Sequence, residues 1–496
     1  MPNQTVRVRF APSPTGYFHL GSARTALYDF LVARHYNGRF ILRIEDTDRT
    51  RYQPDAIPDL LEGLRWLGLW WDEGPEIGGD YGPYYQSDRL PIYQEYAEKL
   101  VREGKAYRCY CSEERLEALR AEQRAAGLPP GYDRHCRYLT QQEIAHYEAQ
   151  GIRPVIRLAI PTEGVTEFDD FLRGHIVVEN SQLDDFVLLK SDGFPTYHLA
   201  HVVDDRLMEI SHVLRGDEWL PSAPRHVLLY RAFGWEMPVH VHLPVILDPS
   251  GKGKLSKRKK VLPDGREQFT YIHDFRRAGY LPEAMVNFLA LVGWSYDGQT
   301  EFFSRDQLIR CFTLEGISKS PSALSYEKLE YMNAAYIRNL GVNDLAGRLL
   351  WVLTQQGFHA DFDTVFRLTP LIRERIKTLN EAIQWVDFVF TDDFTYDPAL
   401  LIPKGMDVSM TATMLRAAIE ALEPLEPFDE PAIEAALRET GARLGVKTGA
   451  FLGALRVACT GKQVAPPLFG SLSIVGKERV LSRLRRALQA LDGLAH

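Results

Sequence analysis

Phe10-Ala11-Pro12-Ser13-Pro14-Thr15-Gly16-Tyr17-Phe18-His19-Leu20-Gly21-Ser22 is the stretch that decides the fold. Before it, Val6-Arg7-Val8-Arg9-Phe10 alternates apolar and basic residues and predicts a strand. After it, Ala23, Leu27, Phe30, Leu31 and Arg34 step at helical spacing and predict a helix over 23–35. His19 and Gly21 therefore fall where a strand hands over to a helix N-terminus. Unpaired N–H groups and the helix dipole attract phosphate at such a place. Gly21 has no side chain and lets a flat base approach the backbone. His19 can offer an N–H to a phosphate oxygen. Packing alone also produces His-x-Gly at such junctions, so a second feature is needed.

That feature is Lys252-Gly253-Lys254-Leu255-Ser256-Lys257-Arg258-Lys259-Lys260, where six of nine residues are basic. A solvated charged loop is the simple reading. The small residues Gly253 and Ser256 between the lysines favour a mobile loop that lays Lys254 and Lys257 across a triphosphate.

Working outward, Arg39–Ile44 predicts a second strand, which makes a βαβ unit with the first strand and helix. Helices are expected near Ala56–Leu67 and Asp88–Glu103. Residues 89–195 change pattern: they hold three of the five cysteines and strands at 155–158 and 175–178, and read as an insertion. A strand at 186–189 and a helix from Tyr197 are expected to resume the parallel sheet, followed by a strand at 213–214 and a helix at Ala223–Phe233. Beyond the basic loop helical periodicity dominates, at 282–292, 325–333, 365–389 and 411–422.

The chain has 496 residues, too many for one core, so roughly three to four domains are expected. A net charge of −8 excludes a nucleic-acid binder by overall balance, so any such surface is local. The 252–260 loop is one candidate. Lys477, Arg479, Arg483, Arg485 and Arg486 are a second, with a solvated helix face as the alternative. No apolar run reaches about 18 residues, so no membrane-spanning helix is expected. The early strand with Arg7 and Arg9 argues against a signal peptide and for a cytoplasmic location.

Cys109-Tyr110-Cys111 is followed after 24 residues by Cys136. In a cytosolic protein this spacing favours a metal over a disulfide. Zinc takes four tetrahedral ligands, and three thiolates leave one place for Tyr132, His135 or Tyr138. Three reduced structural cysteines are the alternative. Cys311 and Cys459 read as ordinary buried thiols.

Together, His19-Leu20-Gly21-Ser22 and Lys254-Leu255-Ser256-Lys257-Arg258 resemble the two signature motifs of class I aminoacyl-tRNA synthetases. Arg43-Ile44-Glu45-Asp46-Thr47-Asp48, Tyr197-His198-Leu199-Ala200 with Val202-Val203-Asp204-Asp205, and Leu214-Arg215-Gly216-Asp217-Glu218-Trp219 extend the likeness. In this order they resemble the bacterial glutamyl-tRNA synthetase family. The resemblance implies a multidomain α/β fold: a Rossmann-like parallel sheet with an inserted acceptor-binding domain, then an all-helical anticodon-binding region. The expected domains are 1–88 and 196–251 for the two catalytic halves and 89–195 for the insertion. A stem-contact domain follows at 252–332, and the helical region at 333–496.

The resemblance also implies roles. His19, Lys254 and Lys257 are the expected catalytic residues, and Gly21, Ser22 and Ser256 join them around ATP with its Mg²⁺. Arg9 and Tyr197 match positions at the glutamate side-chain carboxylate, Arg215 matches a second substrate arginine, and Trp219, one turn on, is a further glutamate-binding position. Ser13, Glu45 and the Ala11 carbonyl match those around its amino group. Two positions depart from the family pattern: Ser22 replaces a usual His, and His201 replaces a usual Asn. Ser22 then serves as a helix cap, and His201 as a further glutamate contact. Relatives with a zinc-bearing insertion pair a Cys-x-Cys with a distal Cys and a nearby Tyr or His. By that likeness Cys109, Cys111, Tyr132 and Cys136 are the zinc ligands. Gly445-Val446-Lys447, Leu455-Arg456 and Thr460-Gly461 resemble the distal anticodon-binding domain, and Arg373–Lys377 is read as a helical segment able to contact an anticodon base, with a surface salt-bridge helix as the alternative. The implied partners are L-glutamate and tRNA(Glu), acting on a monomer. Charging of tRNA(Gln) as well remains open. A small-molecule nucleotidylyltransferase also uses a His-x-Gly loop, but needs neither the second basic loop nor the helical third.

Overall fold

The computed structural model describes residues 5–255, 261, 265 and 267–494. Ser256, Lys257 and Arg258 lie outside the described residues. The chain forms two compact units: Met1–Phe275 with Met285–Tyr326, and Arg276–Ala284 with Glu327–His496.

The first unit is built on a six-stranded sheet. Its strands are β1 (Arg7–Phe10), β2 (Arg39–Leu42), β5 (Val165–Asp170), β6 (Gly174–Glu179), β8 (His212–Gly216) and β9 (Val239–Leu243), in the order β2-β1-β8-β9-β5-β6. All neighbours are parallel except the β5–β6 hairpin at one edge. Helix α1 (Leu20–His35) crosses from β1 to β2, as the βαβ reading expects. Val8 and Phe40 on the sheet and Leu27 and Leu31 on α1 are all buried, and Phe30 meets Phe40 edge-on with ring centroids 6.0 Å apart, which accounts for the helical spacing read from the sequence. Helices α2 (Ala56–Leu67), α3 (Leu90–Arg102), α6 (Tyr197–Leu207) and α7 (Ala223–Phe233) fall where the apolar periodicity puts them. Between α3 and α6 lie β3 (Ala106–Cys109), β4 (Val155–Leu158) and β7 (Val187–Leu189), with helices α4 (Glu113–Ala125) and α5 (Gln141–Ala149).

Two expectations for this region are corrected. The strand at 187–189 does not resume the parallel sheet; it pairs antiparallel with β4 in a separate β3-β4-β7 sheet. Leu188 and Phe186 bury against Tyr93, Ile156 and Leu229, and a short apolar run carries no periodicity that tells one sheet from another. Conversely, β5 and β6, read as part of the insertion, belong to the main sheet. Asp170 at the end of β5 pairs with His240 of β9.

The second unit is helical. Ile337, Leu349, Leu368, Val386, Leu415, Leu437, Phe451 and Leu484 share one core. The helix expected over 365–389 is two, Phe362–Ile372 and Glu381–Phe390. The connector spends its backbone bonds elsewhere: Leu379 N–H donates to the Gly279 carbonyl at 2.9 Å and Lys377 N–H to Glu381 Oε2 at 2.7 Å. Gly279 is at φ +82°, and a Cβ there would meet the Asn380 amide nitrogen at 2.7 Å, so only glycine fits. Arg373-Glu374-Arg375 consequently lies in a turn, not on a helix. The Arg373 guanidinium donates to the carbonyls of Arg338 and Leu340, closing the end of the 326–339 helix. The basic residues of helix Lys477–Asp492 are also engaged. Arg479 and Arg483 pair with Asp392, Arg485 with Glu423, and Arg486 donates to the Asp392 carbonyl. Of this run only Arg483 is buried; the pairs of Arg479 and Arg485 lie on a solvated face. Among the described residues no helix is long and apolar enough to cross a membrane.

Candidate active site

At the carboxyl ends of β1 and β8 the sheet opens into a cavity of about 400 Å³. In open parallel sheets this end binds ligands. Its walls include Arg9, Ala11, Ser13, His19, Gly21, Ser22, Glu45, Tyr197, His201, Arg215, Trp219 and Lys254. Every described residue of the sequence-derived ATP and glutamate set therefore reaches one space.

His19 is the N-cap of α1. Its Nδ1 accepts from the Ser22 amide at 3.2 Å, and Ser22 Oγ accepts from the His19 amide at 3.2 Å. Ser22 thus completes a capping box, as its departure from the family's His suggests. With Nδ1 accepting, the imidazole proton sits on Nε2. A Cβ on Gly21 would lie 3.2 Å from the His19 ring, so glycine keeps the imidazole in place. The loop is tied down from the far side. Phe18 N–H donates to Asp59 Oδ2 at 2.7 Å, and Leu20 N–H to the Thr270 carbonyl at 2.9 Å.

The floor is a buried charge network. Arg9 Nε donates to Asp205 Oδ1 at 3.0 Å. Arg43, fully buried, reaches Asp205 Oδ1 at 2.8 Å, Glu45 Oε1 at 3.0 Å and Asp204 Oδ2 at 3.7 Å. Asp204 also accepts from Arg89 at 2.7 Å and from Tyr93 Oη at 2.7 Å. Burial raises the Glu45 carboxyl, against the lowering pull of Arg43 and Arg9. Asp205 stays below its ordinary range: burial pushes it up, but Arg9 and Arg43 outweigh that.

Arg215 is different. Its Nε donates to His242 Nε2 at 2.9 Å and its Nη1 to Tyr197 Oη at 3.1 Å. His226 Nδ1 and His201 Nε2 lie 3.2 and 3.4 Å from Nη1. No carboxylate pairs with Arg215 among the described residues, and its buried Nη2 has no protein partner. Burial and neighbouring cations keep the surrounding imidazoles neutral: His201 and His226 fall well below the usual range, and His198 falls to about 4. His201, His226 and His240 bring nitrogens within 4.8 Å of one another. His201 and His226 face the Arg215 guanidinium, whose charge opposes a cation there, while His240 Nδ1 donates to the Pro238 carbonyl at 2.9 Å. The Tyr197 and Trp219 rings meet at 4.4 Å across the mouth.

Lys254 stands at the rim and pairs with Glu218 at 3.1 Å, both side chains about half exposed. Such a pair is worth about 0–1 kcal/mol and is easily exchanged for a phosphate. Ser256 and Lys257 are outside the described residues.

The sequence did not single out Arg43 with Asp205 as a floor, nor His226 and His242. One signal existed. Val239-His240-Val241-His242-Leu243 alternates imidazole and aliphatic in a strand whose last four residues are all buried. Solvated polar residues cannot explain such a pattern.

In the inserted region four donors converge. Cys111 and Cys136 Sγ are 3.4 Å apart, and Tyr132 Oη is 3.3 Å from Cys109 Sγ and 3.8 Å from Cys111 Sγ. A tetrahedron with bonds of about 2.3 Å has edges of roughly 3.8 Å, so the donor set fits zinc. Arg157 lies 3.9 Å over the Tyr132 ring, and Arg115 Nη1 is 3.5 Å from Cys111 Sγ. Tyr138 is 77% exposed and His135 is also exposed, so Tyr132 is the aromatic that meets the thiols.

This sheet, its His-x-Gly helix cap and its arginine-lined cavity are those of a class I tRNA synthetase. Residues 5–331 match the catalytic domain of class I tRNA synthetases (E and Q), and residues 342–488 match an anticodon binding domain. A glutamate–tRNA ligase of Dehalococcoides mccartyi is 51% identical over 494 residues, 98% of each chain. That of Chloroflexus aurantiacus is 50% identical over 99% of each. A crystal structure of a glutamate tRNA ligase from Elizabethkingia meningosepticum, in complex with its amino acid, superposes with a TM-score of 0.87 at 34% identity, covering 98% of this chain and 100% of that one. The chain belongs to the glutamate–tRNA ligase family.

Proposed function

We propose that the cavity activates L-glutamate with ATP and that the glutamyl group then passes to the 3′ end of tRNA(Glu). The observation that carries this reading is Arg215, a buried guanidinium with no carboxylate partner among the described residues. An unpaired buried charge costs several kcal/mol, so an anion completes the site. In this reading the anion is the glutamate side chain, with Arg9, Tyr197, His201 and Trp219 around it. Glu45, Ser13 and the Ala11 carbonyl receive the α-ammonium group. Glutamine would leave Arg215 unmatched, which is the kind of polar mismatch that discriminates strongly.

The substrate α-carboxylate attacks the α-phosphate of ATP and pyrophosphate leaves. The terminal ribose hydroxyl of tRNA then attacks the glutamyl carbonyl and AMP leaves. No side-chain nucleophile is required; positioning and charge neutralisation supply the rate. His19, the Gly21–Ser22 helix end, Lys254, Ser256 and Lys257 hold the nucleotide, and Mg²⁺ arriving with ATP neutralises phosphate charge. The segments divide the labour as follows: 1–88 and 196–251 catalyse, 89–195 grips the acceptor end while lending two strands to the main sheet, 252–332 contacts the stem, and 333–496 reads the anticodon. The protein works as a cytoplasmic monomer.

Charging of purified tRNA(Glu) and tRNA(Gln) with labelled glutamate and, separately, glutamine tests the reading. Glutamate on tRNA(Glu) alone is the expected result. Glutamate on both defines a non-discriminating enzyme, and charging of neither overturns the proposal.

Zinc held by Cys109, Cys111, Tyr132 and Cys136 would pin the inserted region; its contribution is structural. Elemental analysis is expected to give about one zinc per chain, lost in Cys109→Ser. Chelation is expected to open residues 107–160 to protease before the rest of the chain. A metal-free protein with an equally resistant insertion would leave three reduced structural cysteines.

A further inference from the structure

Arg215 is aimed by a buried relay that the glutamate-binding residues do not include. Asp170 ends β5, and its carboxylate is fully engaged. Oδ1 accepts from the Leu172 and Arg173 amides at 3.1 and 2.9 Å. Oδ2 accepts from the His242 amide at 3.2 Å and stands 2.6 Å from His242 Nδ1. His242 lies directly opposite Arg215 in the parallel β8–β9 pair. Its Nε2 receives the Arg215 Nε–H at 2.9 Å. An arginine Nε can only donate, so His242 Nε2 must carry the lone pair and Nδ1 the proton. Asp170 is the acceptor that selects this tautomer.

The Asp170 carboxyl is held below its usual range. Burial raises it, and the His242 and backbone hydrogen bonds more than compensate. Burial, reinforced by Arg215, lowers His242 and keeps it neutral. The other titratable groups near the pair are Asp217, itself tied to Arg173 at 2.5 Å, and His240, neutral and stacked 6.0 Å from the His242 ring.

We propose that Asp170 and His242 are positioning residues for glutamate recognition: the Asp170–His242–Arg215 relay fixes the plane of the guanidinium in the cavity wall, where Arg215 meets the substrate carboxylate. The inference rests on the assignment of Arg215 to that carboxylate. It predicts an effect that loss of packing does not. In Asp170→Asn the side-chain oxygen must still accept the Leu172 and Arg173 amides. The NH₂ then faces the His242 amide, donor against donor, and His242 Nδ1, which turns acceptor, so the imidazole proton moves to Nε2. There it meets the Arg215 Nε–H, donor against donor, and the guanidinium is displaced.

The test is steady-state pyrophosphate exchange on the full chain with tRNA present. For Asp170→Asn and His242→Leu, the KM for glutamate is expected to rise about 10–100-fold while the KM for ATP stays within about threefold. His242→Gln supplies an amide NH₂ for Asp170 and a carbonyl for Arg215 Nε, and is expected to recover most of the loss. An unchanged glutamate KM in Asp170→Asn and His242→Leu overturns the relay. So does a His242→Gln variant as impaired as His242→Leu, because bulk rather than hydrogen bonding would then matter. Arg215→Met separates the two levels of the argument. If it leaves the glutamate KM unchanged, the assignment of Arg215 fails. If it raises that KM while the relay variants do not, only the relay fails.

Discussion

Arg43→Met is expected to destabilise the protein by about 3–5 kcal/mol, the usual consequence of removing one partner from a buried ion network. The guanidinium is fully buried and is shared by Asp204, Asp205 and Glu45. Asp205 would keep Arg9 at 3.0 Å and Asp204 would keep Arg89 at 2.7 Å, but Glu45 would lose its ion pair. The pH dependence follows from the sign of the Glu45 shift. Burial already raises that carboxyl in the folded state, and loss of Arg43 raises it further. A folded-state pKa above the unfolded one means that the ionised form costs stability, and that protonation at low pH relieves the cost. The urea midpoint of Arg43→Met should therefore lie far below that of the parent at neutral pH, with the gap narrowing as pH falls through the raised Glu45 range. A gap that does not change with pH would show that lost packing, not stranded charge, is responsible.

His19→Ala is expected to lower glutamate-dependent pyrophosphate exchange about 10²–10³-fold, the range for removing one preorganised donor from a developing phosphate charge. The same substitution removes a helix cap, which costs about 1 kcal/mol. His19→Asn separates the two effects. Asparagine is a strong N-cap, so the melting temperature should return to the parent value. Its shorter side chain does not extend to where His19 Nε2 stands, so exchange should stay low. Parent-level exchange in His19→Asn would reduce His19 to a helix cap and move the phosphate contact to the α1 amides and the lysine loop.

Much of the catalytic core is legible in the chain because it is local. The β1–loop–α1 segment writes its own strand alternation, its punctuation by Pro12, Pro14 and Gly16, and its helical spacing. The boundaries of α2 and α7 follow from apolar periodicity. The pairing of the strand at 187–189 is not legible because three apolar residues pair equally well with either sheet; Leu188 and Leu189 join one buried cluster with Tyr93, Ile156 and Leu229. The break at 373–380 was missed for a related reason: it is set by a hydrogen bond to Gly279, about a hundred residues earlier. Residue type suggested RNA contacts for Arg373 and for the 477–492 helix. Their partners, a pair of helix-end carbonyls and the acids Asp392 and Glu423, are invisible until the helices pack.

The sequence by itself determined the class of chemistry. A histidine and glycine at a helix start, a distant lysine loop and the motifs between them define a nucleotide site, and a Cys-x-Cys with a distant Cys defines a metal-ligand pattern. Only the tertiary structure decided which groups share charge. Arg9 and Arg215 look alike in the chain, yet one is neutralised by Asp205 while the other is surrounded by neutral imidazoles and a phenol. The reason is physical. Short-range periodicity is set by backbone geometry and can be read locally. The charge state and aim of a buried side chain depend on the few atoms within about 3–4 Å, and here Asp170, Asp205 and His242 come from strands and helices far apart in the chain.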